Sequence, residues 1–274
     1  MDLLKEVVNT FINAIFGSEV LQKAYDIIVM SPASSSVNMV NTIVDISKDA
    51  AIPIASVLLC IYFIMDLSDQ VTTDRFNSDQ FMKMLIKLAF GQFLITNATG
   101  FALQFMNIGV SFMSAIAEST STSMKYLTIQ ADGFTGFLVL LGLIIGLFLP
   151  YVITVVLQIS IFMMCYTRLF EMTIRAMIAP IGVADIMHGG TNSQGFRYLK
   201  KCLAIALQGG LMLIVLLISS NIQSSIISGL VGGGTSGQIA IISVDTWATF
   251  IGVLGATTGT LALTKTLANE VVGA

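Results

Sequence analysis

Long apolar runs recur along this chain, interrupted by short polar stretches at intervals that suit a bilayer rather than a globular core. The first, residues 50–66, sits between Asp49 and Asp66 and is short for a crossing. The second occupies 81–100 and its helical pattern continues to 118. The third, 134–167, belongs to a stretch from Gly133 to Thr167 without one Asp, Glu, Lys or Arg. As a single helix that stretch would be ~50 Å long at ~1.5 Å per residue, against ~30 Å of hydrocarbon. Pro150 offers it a place to bend, and Pro180 limits its continuation. The fourth and fifth runs are 201–222 and 246–265. Upstream, Leu3, Leu4, Val7, Val8, Phe11, Ile12, Ile15 and Phe16 recur at helical spacing. That pattern predicts an amphipathic helix lying in the membrane interface, not a cleaved leader. The expectation is an all-α, polytopic membrane protein of about five transmembrane helices plus N-terminal amphipathic helices. Residues 1–49 would form an extracytoplasmic amphipathic segment and 50–274 the transmembrane domain.

Within the second run the polar positions have a period of their own. Gln92, Thr96, Gly100, Gln104, Asn107, Ser111, Ser114 and Glu118 recur every three or four residues and share one helical face. Phe93, Phe101, Phe105, Ile108 and Phe112 fall elsewhere. Polar groups in hydrocarbon need partners or water. The stripe therefore predicts a buried helix contact, a pore wall or an amphipathic helix on the outer surface. Small residues mark a second kind of face. Gly142 and Gly146, and Gly255 and Gly259, stand in GxxxG spacing, with Gly252 and Ala256 extending the latter. Such faces let helices approach closely, within one chain or between chains.

Composition agrees with lipid as the solvent: 55% of residues are hydrophobic and 11% charged, where soluble domains carry roughly 25% charged residues. The net charge of −3 excludes a large basic nucleic-acid domain. Charge placement sets the orientation. One side collects Arg75, Lys83, Lys87, Arg168, Arg175, Arg197, Lys200, Lys201 and Lys265, while the opposite loops hold Lys125 and, between Ser219 and Asp245, no basic residue. In the N-terminal tail the acids outnumber Lys5, Lys23 and Lys48. The expected topology is a multi-pass chain with its N-terminus outside and its C-terminus in the cytoplasm. Tyr126 and Trp247 would anchor the outer interface.

Where the third run ends, Arg168, Glu171 and Arg175 follow at spacings that put them on one face. This is a self-neutralising helix end or a surface for another subunit or a substrate. Arg197, Lys200 and Lys201, just beyond, are a positive-inside anchor or part of the same surface. Chemistry is sparse. Cys60, Cys165 and Cys202 lie in apolar stretches without CxxC spacing and read as packing residues. His188 is the sole histidine, in a Gly-rich turn three residues after Asp185, and reads as half of a solvated pair. "VGGGTSGQ" lacks the Lys-Ser/Thr ending of a phosphate loop. No catalytic residue, metal site or cofactor is expected. A self-contained small-solute or ion transporter remains the alternative, although no paired interrupted helices or isolated central acid support it.

The order of these pieces resembles TrbL-type proteins, the polytopic inner-membrane subunits of type IV secretion and conjugation machines. "IPIAS" opens the first span, and "FMKMLIKLAFGQFLITNATGFALQFMNIGVSFM" follows a polar loop. "YTRLFEMTIRAMIAPIGVADI" then runs through a Gly/Asn turn into "GFRYLKKCLAIALQGGLMLIVLLI". The matching positions are Tyr166, Arg168, Glu171, Ala179, Pro180, Tyr198, Leu199, Gln208 and Gly209, and the resemblance covers roughly residues 50–220. The compact variety of Gram-positive conjugative elements is nearest. The resemblance implies a non-enzymatic channel subunit, a homo-oligomeric ring in membrane lipid working with other type IV secretion subunits, ATPases included. Single-stranded DNA with its relaxase, or a protein cargo, would pass through or beside it. Arg168, Arg175, Arg197, Lys200 and Lys201, repeated around a ring, would then form a basic cytoplasmic collar for DNA, lipid headgroups or a partner.

Overall fold

A computed structural model describes residues 6–7, 9–11, 13–14, 19–29, 37–72, 77–118, 133–189, 193–231 and 244–273. Among them no residue lies in a strand. The elements are α1 (Glu19–Val29), α2 (Val37–Ile46), a π turn (Ser47–Ala51), α3 (Ile52–Thr72), α4 (Ser78–Glu118), α5 (Gly133–Val183), the short α6 (Ile186–Gly189), α7 (Gln194–Val231) and α8 (Val244–Val272). Five helical stretches are long and apolar enough to span a membrane: Val40–Thr72, Ser78–Ile116, Ile144–Val183, Gln194–Ile226 and Trp247–Val272. The protein is an all-α, multi-pass membrane protein. Arg75, Lys125, Tyr126 and most of the Gly/Ser loop before α8 lie outside the described residues.

The first spanning stretch begins well before residue 50. α2 runs into α3 through the π turn, so that Lys48 and Asp49 sit within a continuous helical path. Pro53 explains the turn: its ring lacks an N–H and crowds the carbonyl four residues back, and a π turn relieves both. Ser47, buried in that turn, shares a hydrogen bond with Thr99 of α4.

α5 does not break at either proline. It is continuous through Pro150, and it ends at Val183, beyond Pro180. A proline leaves the carbonyl four residues before it without its helical donor, and neighbouring groups in a helical bundle can replace that bond. Sharper signals set the other helix ends. Asn77 caps α4, its Oδ1 accepting from the Ser78 N–H at 2.8 Å. Ser193 Oγ accepts from the Phe196 N–H at 3.1 Å, and Asp185 Oδ2 from the Gln194 N–H at 3.0 Å, so two side chains start α7. Gly273, at φ 66°, closes α8 in the left-handed conformation that favours glycine.

The chain divides into two compact units. One contains Met1–Ile28, Ala115–Tyr166 and Leu211–Thr264, the other Val29–Ser114, Thr167–Gly210 and Lys265–Ala274. In the first, Ser219 Oγ and Thr257 Oγ1 lie 2.6 Å apart and Gln223 Nε2 donates to Ser219 Oγ at 3.2 Å, a polar ladder between α7 and α8. Gln158 Nε2 donates to the Ala14 carbonyl at 2.8 Å, and Phe11 stacks on Tyr151 with centroids 4.5 Å apart. In the second unit, Ala98, Ala102 and Met106 of α4 pack with Met172, Ala176 and Ala179 of α5 and with Ile205 of α7. Alanines at helical spacing bring these backbones close. A Cβ on Gly109 would meet the Ala206 carbonyl oxygen at 2.7 Å, which measures how tight that approach is.

Candidate functional site

Three polar features of the second unit hold the residues that sequence reasoning singled out. The first is an ion cluster at the end of α5. Glu171 accepts from Arg175 at 2.9 Å and from Lys265 of α8 at 2.8 Å. The Arg175 carbonyl accepts from the Tyr198 hydroxyl, which ties α7 to the same point. Lys265 is the member that sequence reasoning placed only on the basic side; no local spacing links it to Glu171, because the pairing is tertiary.

Arg168 leaves the face expected of it. It is 2% exposed, its Nε donating to the Ile205 carbonyl at 3.4 Å and its Nη2 reaching Met113 Sδ at 3.9 Å. The side chain lies across Gly209, where a Cβ would overlap the guanidinium. This gives a physical reason for an arginine on one helix and a Gln-Gly pair on the other: only glycine leaves room for the guanidinium against the α7 backbone. Arg168 is thus an internal residue, whereas Arg197 and Lys201 are exposed and Lys200 is partly so. Lys200 donates to the Gly273 carbonyl at 3.3 Å, at the C-terminal end of α8 where the helix dipole favours a cation.

α4 carries the second feature. Gln92, Thr96, Gly100, Gln104, Asn107, Ser111 and Ser114 are all exposed. The buried residues Ile95, Ala98, Ala102, Met106 and Met113 line another face. Phe101 and Ile108, 36% and 56% exposed, belong to a third. Each face takes roughly a third of the circumference at ~3.6 residues per turn. The described helices of this chain therefore do not cover the stripe. Among the described residues, Gln92 is the stripe member that reaches another helix, donating to Ser56 Oγ at 3.1 Å. Thr96, Ser111 and Ser114 donate to carbonyls of α4 itself at 2.9, 3.1 and 2.9 Å. The side chain of Glu118 lies outside the described residues.

The third feature was read otherwise in the sequence. His188 does not pair with Asp185 but with Asp66 of α3, Nδ1 to Oδ1 at 2.6 Å, and stacks on Tyr62. Periodicity cannot report a contact across 122 residues. A small open cleft between α3, α4 and α6 is lined there by Leu59, Phe63, Lys87, Met187 and His188. Its walls are mainly apolar, and His188 is already engaged, so the cleft presents no acid–base pair with a free partner. Among the described residues, no three His, Cys, Asp or Glu side chains gather as a metal site. Cys165 and Cys202 are buried, while Cys60 is exposed on α3.

The glycine faces divide. Gly146, Gly252, Gly255 and Gly259 have open space where a Cβ would stand, so their described surroundings do not use them. The surroundings of Gly142 lie outside the described residues.

No curated protein and no solved structure matches this chain. Residues 18–180 match the family of TrbL/VirB6 plasmid conjugal transfer-like proteins. The match starts upstream of the resemblance read from the sequence, taking in α1 and α2, and it stops at Pro180, before the Gln-Gly helix. It spans more than half of the chain, with the α4 stripe and the Glu171–Arg175 pair inside it; the chain belongs to the TrbL/VirB6 plasmid conjugal transfer-like protein family.

Proposed function

We propose that this protein is a non-enzymatic channel subunit of a type IV secretion or conjugation machine. It sits in the inner membrane with its N-terminus outside and its C-terminus in the cytoplasm, and it oligomerises around or beside the path of transferred DNA or protein. The observation that carries this reading is the uncovered polar face of α4 within a helix apolar enough to span a membrane. A lone chain would present that face to lipid, where unsatisfied polar groups are disfavoured. An assembly gives it a partner or water. Its partners would be copies of itself, other secretion subunits and the cytoplasmic ATPases, with single-stranded DNA and its relaxase as the cargo.

Orientation puts Arg197, Lys200 and Lys201 on the cytoplasmic side, where repeated copies form the basic collar. Arg175 contributes less, since its guanidinium is half-buried and paired with Glu171. Arg168, being internal, has no part in the collar.

In-frame deletion of the gene from the element that carries it, with transfer to recipient cells counted and growth as control, tests the reading. Transfer should be lost and be restored by a plasmid copy. Undiminished transfer removes conjugation as the function and leaves protein secretion by a related machine or a self-contained transporter. The double variant Lys200→Glu/Lys201→Glu tests the collar: normal membrane insertion with transfer reduced at least tenfold is expected, and unaltered transfer rejects it.

A further inference from the structure

The cleft that His188 helps to line sits where two spans leave hydrocarbon. Asp66 closes the charge-free run of residues 50–65, and Lys87 precedes the charge-free run of 88–117. Ser47 with Thr99, Ser56 with Gln92 and Leu59 against Gly91 set an antiparallel register between α3 and α4. That register brings the two boundary residues onto the walls of one cleft. We infer that the cleft is a binding site for an anionic phospholipid, with the phosphate at Lys87 and the first part of the acyl chains on the apolar wall. The inference needs only the membrane spans and is independent of the conjugation reading.

Gly91, one turn deeper than Lys87, lets α3 and α6 close the inner end. A Cβ there would stand 2.9 Å from Leu59 and 3.1 Å from Met187. Nearer the rim the apolar wall is made by Phe63, Met84 and Leu88, with Tyr62 beside them. The empty space is about 310 Å³ and open to the outside. That is near the lower end of the roughly 300–1,000 Å³ of ligand clefts. It suits a phosphoglycerol head and the first methylenes, not an entire lipid. The same helical turns expose Ile64, Ile86 and Phe90, apolar surface of the kind that the rest of an acyl chain covers.

Charge selects the occupant. Among the described residues Lys87 makes no hydrogen bond or ion pair, and it is exposed at the rim. Lys83, one turn back on α4, is exposed as well. The acid of the rim, Asp66, is engaged by His188 Nδ1 at 2.6 Å, and the Tyr62 ring stacks on the imidazole at 5.5 Å. Lys87 is thus the rim charge left for a ligand to neutralise. An ammonium above an apolar wall at the hydrocarbon boundary matches a phosphodiester on acyl chains. A zwitterionic lipid brings its own ammonium and gains less from Lys87. A soluble anion would make no use of the apolar wall.

A tryptophan placed in the cleft reads its occupant. Phe63→Trp is made in the full chain together with Trp247→Phe, which removes the sole native tryptophan. Leu88→Trp in the same background gives a second reporter from the α4 wall, so that misfolding of one variant leaves the other to decide. The chain is reconstituted in phosphatidylcholine vesicles holding equal small fractions of brominated-chain phosphatidylglycerol or brominated-chain phosphatidylcholine. Quenching should favour phosphatidylglycerol about fivefold, the effect of one lysine facing an anionic lipid. Lys87→Ala should bring that preference close to unity, and Lys87→Arg should keep it. Lys201→Ala, outside the cleft, should leave it unchanged. Equal quenching by the two lipids would overturn the inference and make the cleft ordinary boundary surface. A preference that survives Lys87→Ala would overturn it by placing the anion elsewhere. Relief of quenching by glycerol 3-phosphate would overturn it too, since a soluble anion would then be the ligand. Transfer plays no part in the readout, so the conjugation reading is decided separately by the deletion.

Discussion

α4 and α7 contain the same kinds of polar residue and use them oppositely. On α7, Gln208, Ser219, Ser220 and Gln223 are buried, and 61% of its most apolar window is inside the chain. On α4, glutamines, threonine, asparagine and serines stand exposed, and only 28% of the corresponding window is inside. α7 turns these polar groups inward, and Ser219 and Gln223 hold it to α8 within the first unit. α4 lends one face to that core and leaves its polar face outward. The difference teaches that a polar stripe in a membrane helix is not a functional signal by itself. It becomes one when the chain's own helices decline to cover it.

Variants that attack the two helices should separate these roles, and the largest effect is expected at Gly209. Gly209→Val drives a branched side chain into the Arg168 guanidinium. Overpacking of this kind costs about 1–3 kcal/mol, and displacement of a buried cation adds to it. The amount of folded protein recovered in mild detergent, and its melting temperature, should both fall. Gly100→Val, in open space, should leave both unchanged.

Glu171→Gln comes next. It leaves Arg175 and Lys265 side by side without their carboxylate, at a cost of about 1–2 kcal/mol given the partial exposure of the cluster. Thermal unfolding in detergent at low and high salt checks it, since salt should narrow the difference from the parent chain. A smaller effect belongs to the α7–α8 ladder. A double-mutant cycle of Ser219→Ala and Thr257→Ala should return a coupling of about 0.6–1.7 kcal/mol. A value near zero would remove the ladder as a determinant of the first unit.

The smallest change in monomer stability is expected from Gln104→Leu on the stripe, within about 0.5 kcal/mol of the parent. Its effect should appear in assembly and transfer instead. If Gln104→Leu unfolds the monomer as badly as Gly209→Val, the contrast between α4 and α7 collapses.

How much of this was legible in the chain depends on the range of the contacts. The helical spans followed from charge-free runs because bilayer thickness writes itself directly into length. The α4 stripe followed from its period for the same reason of locality. The start of the first span was hidden, since Lys48 and Asp49 look like an end and a π turn leaves no apolar signature. Pro150 and Pro180 suggested breaks that a continuous α5 does not show, because residues distant in sequence support a proline in a bundle. Arg168 and Arg175 are seven apart and were indistinguishable by spacing. Only the glycine two helices away in the chain, Gly209, makes one of them an interior residue. Lys265 with Glu171, and Asp66 with His188, were beyond any local pattern.

The buried arginine also imposes an order on how the molecule is made. Met113, which the guanidinium reaches, is synthesised before Arg168; Ile205 and Gly209 come later, Ile205 by 37 residues. The helix that supplies Ile205 and Gly209 is also the one whose apolar window is most enclosed by the chain. The contacts that α7 makes with Arg168 are thereby the last of these to become available as the chain is made.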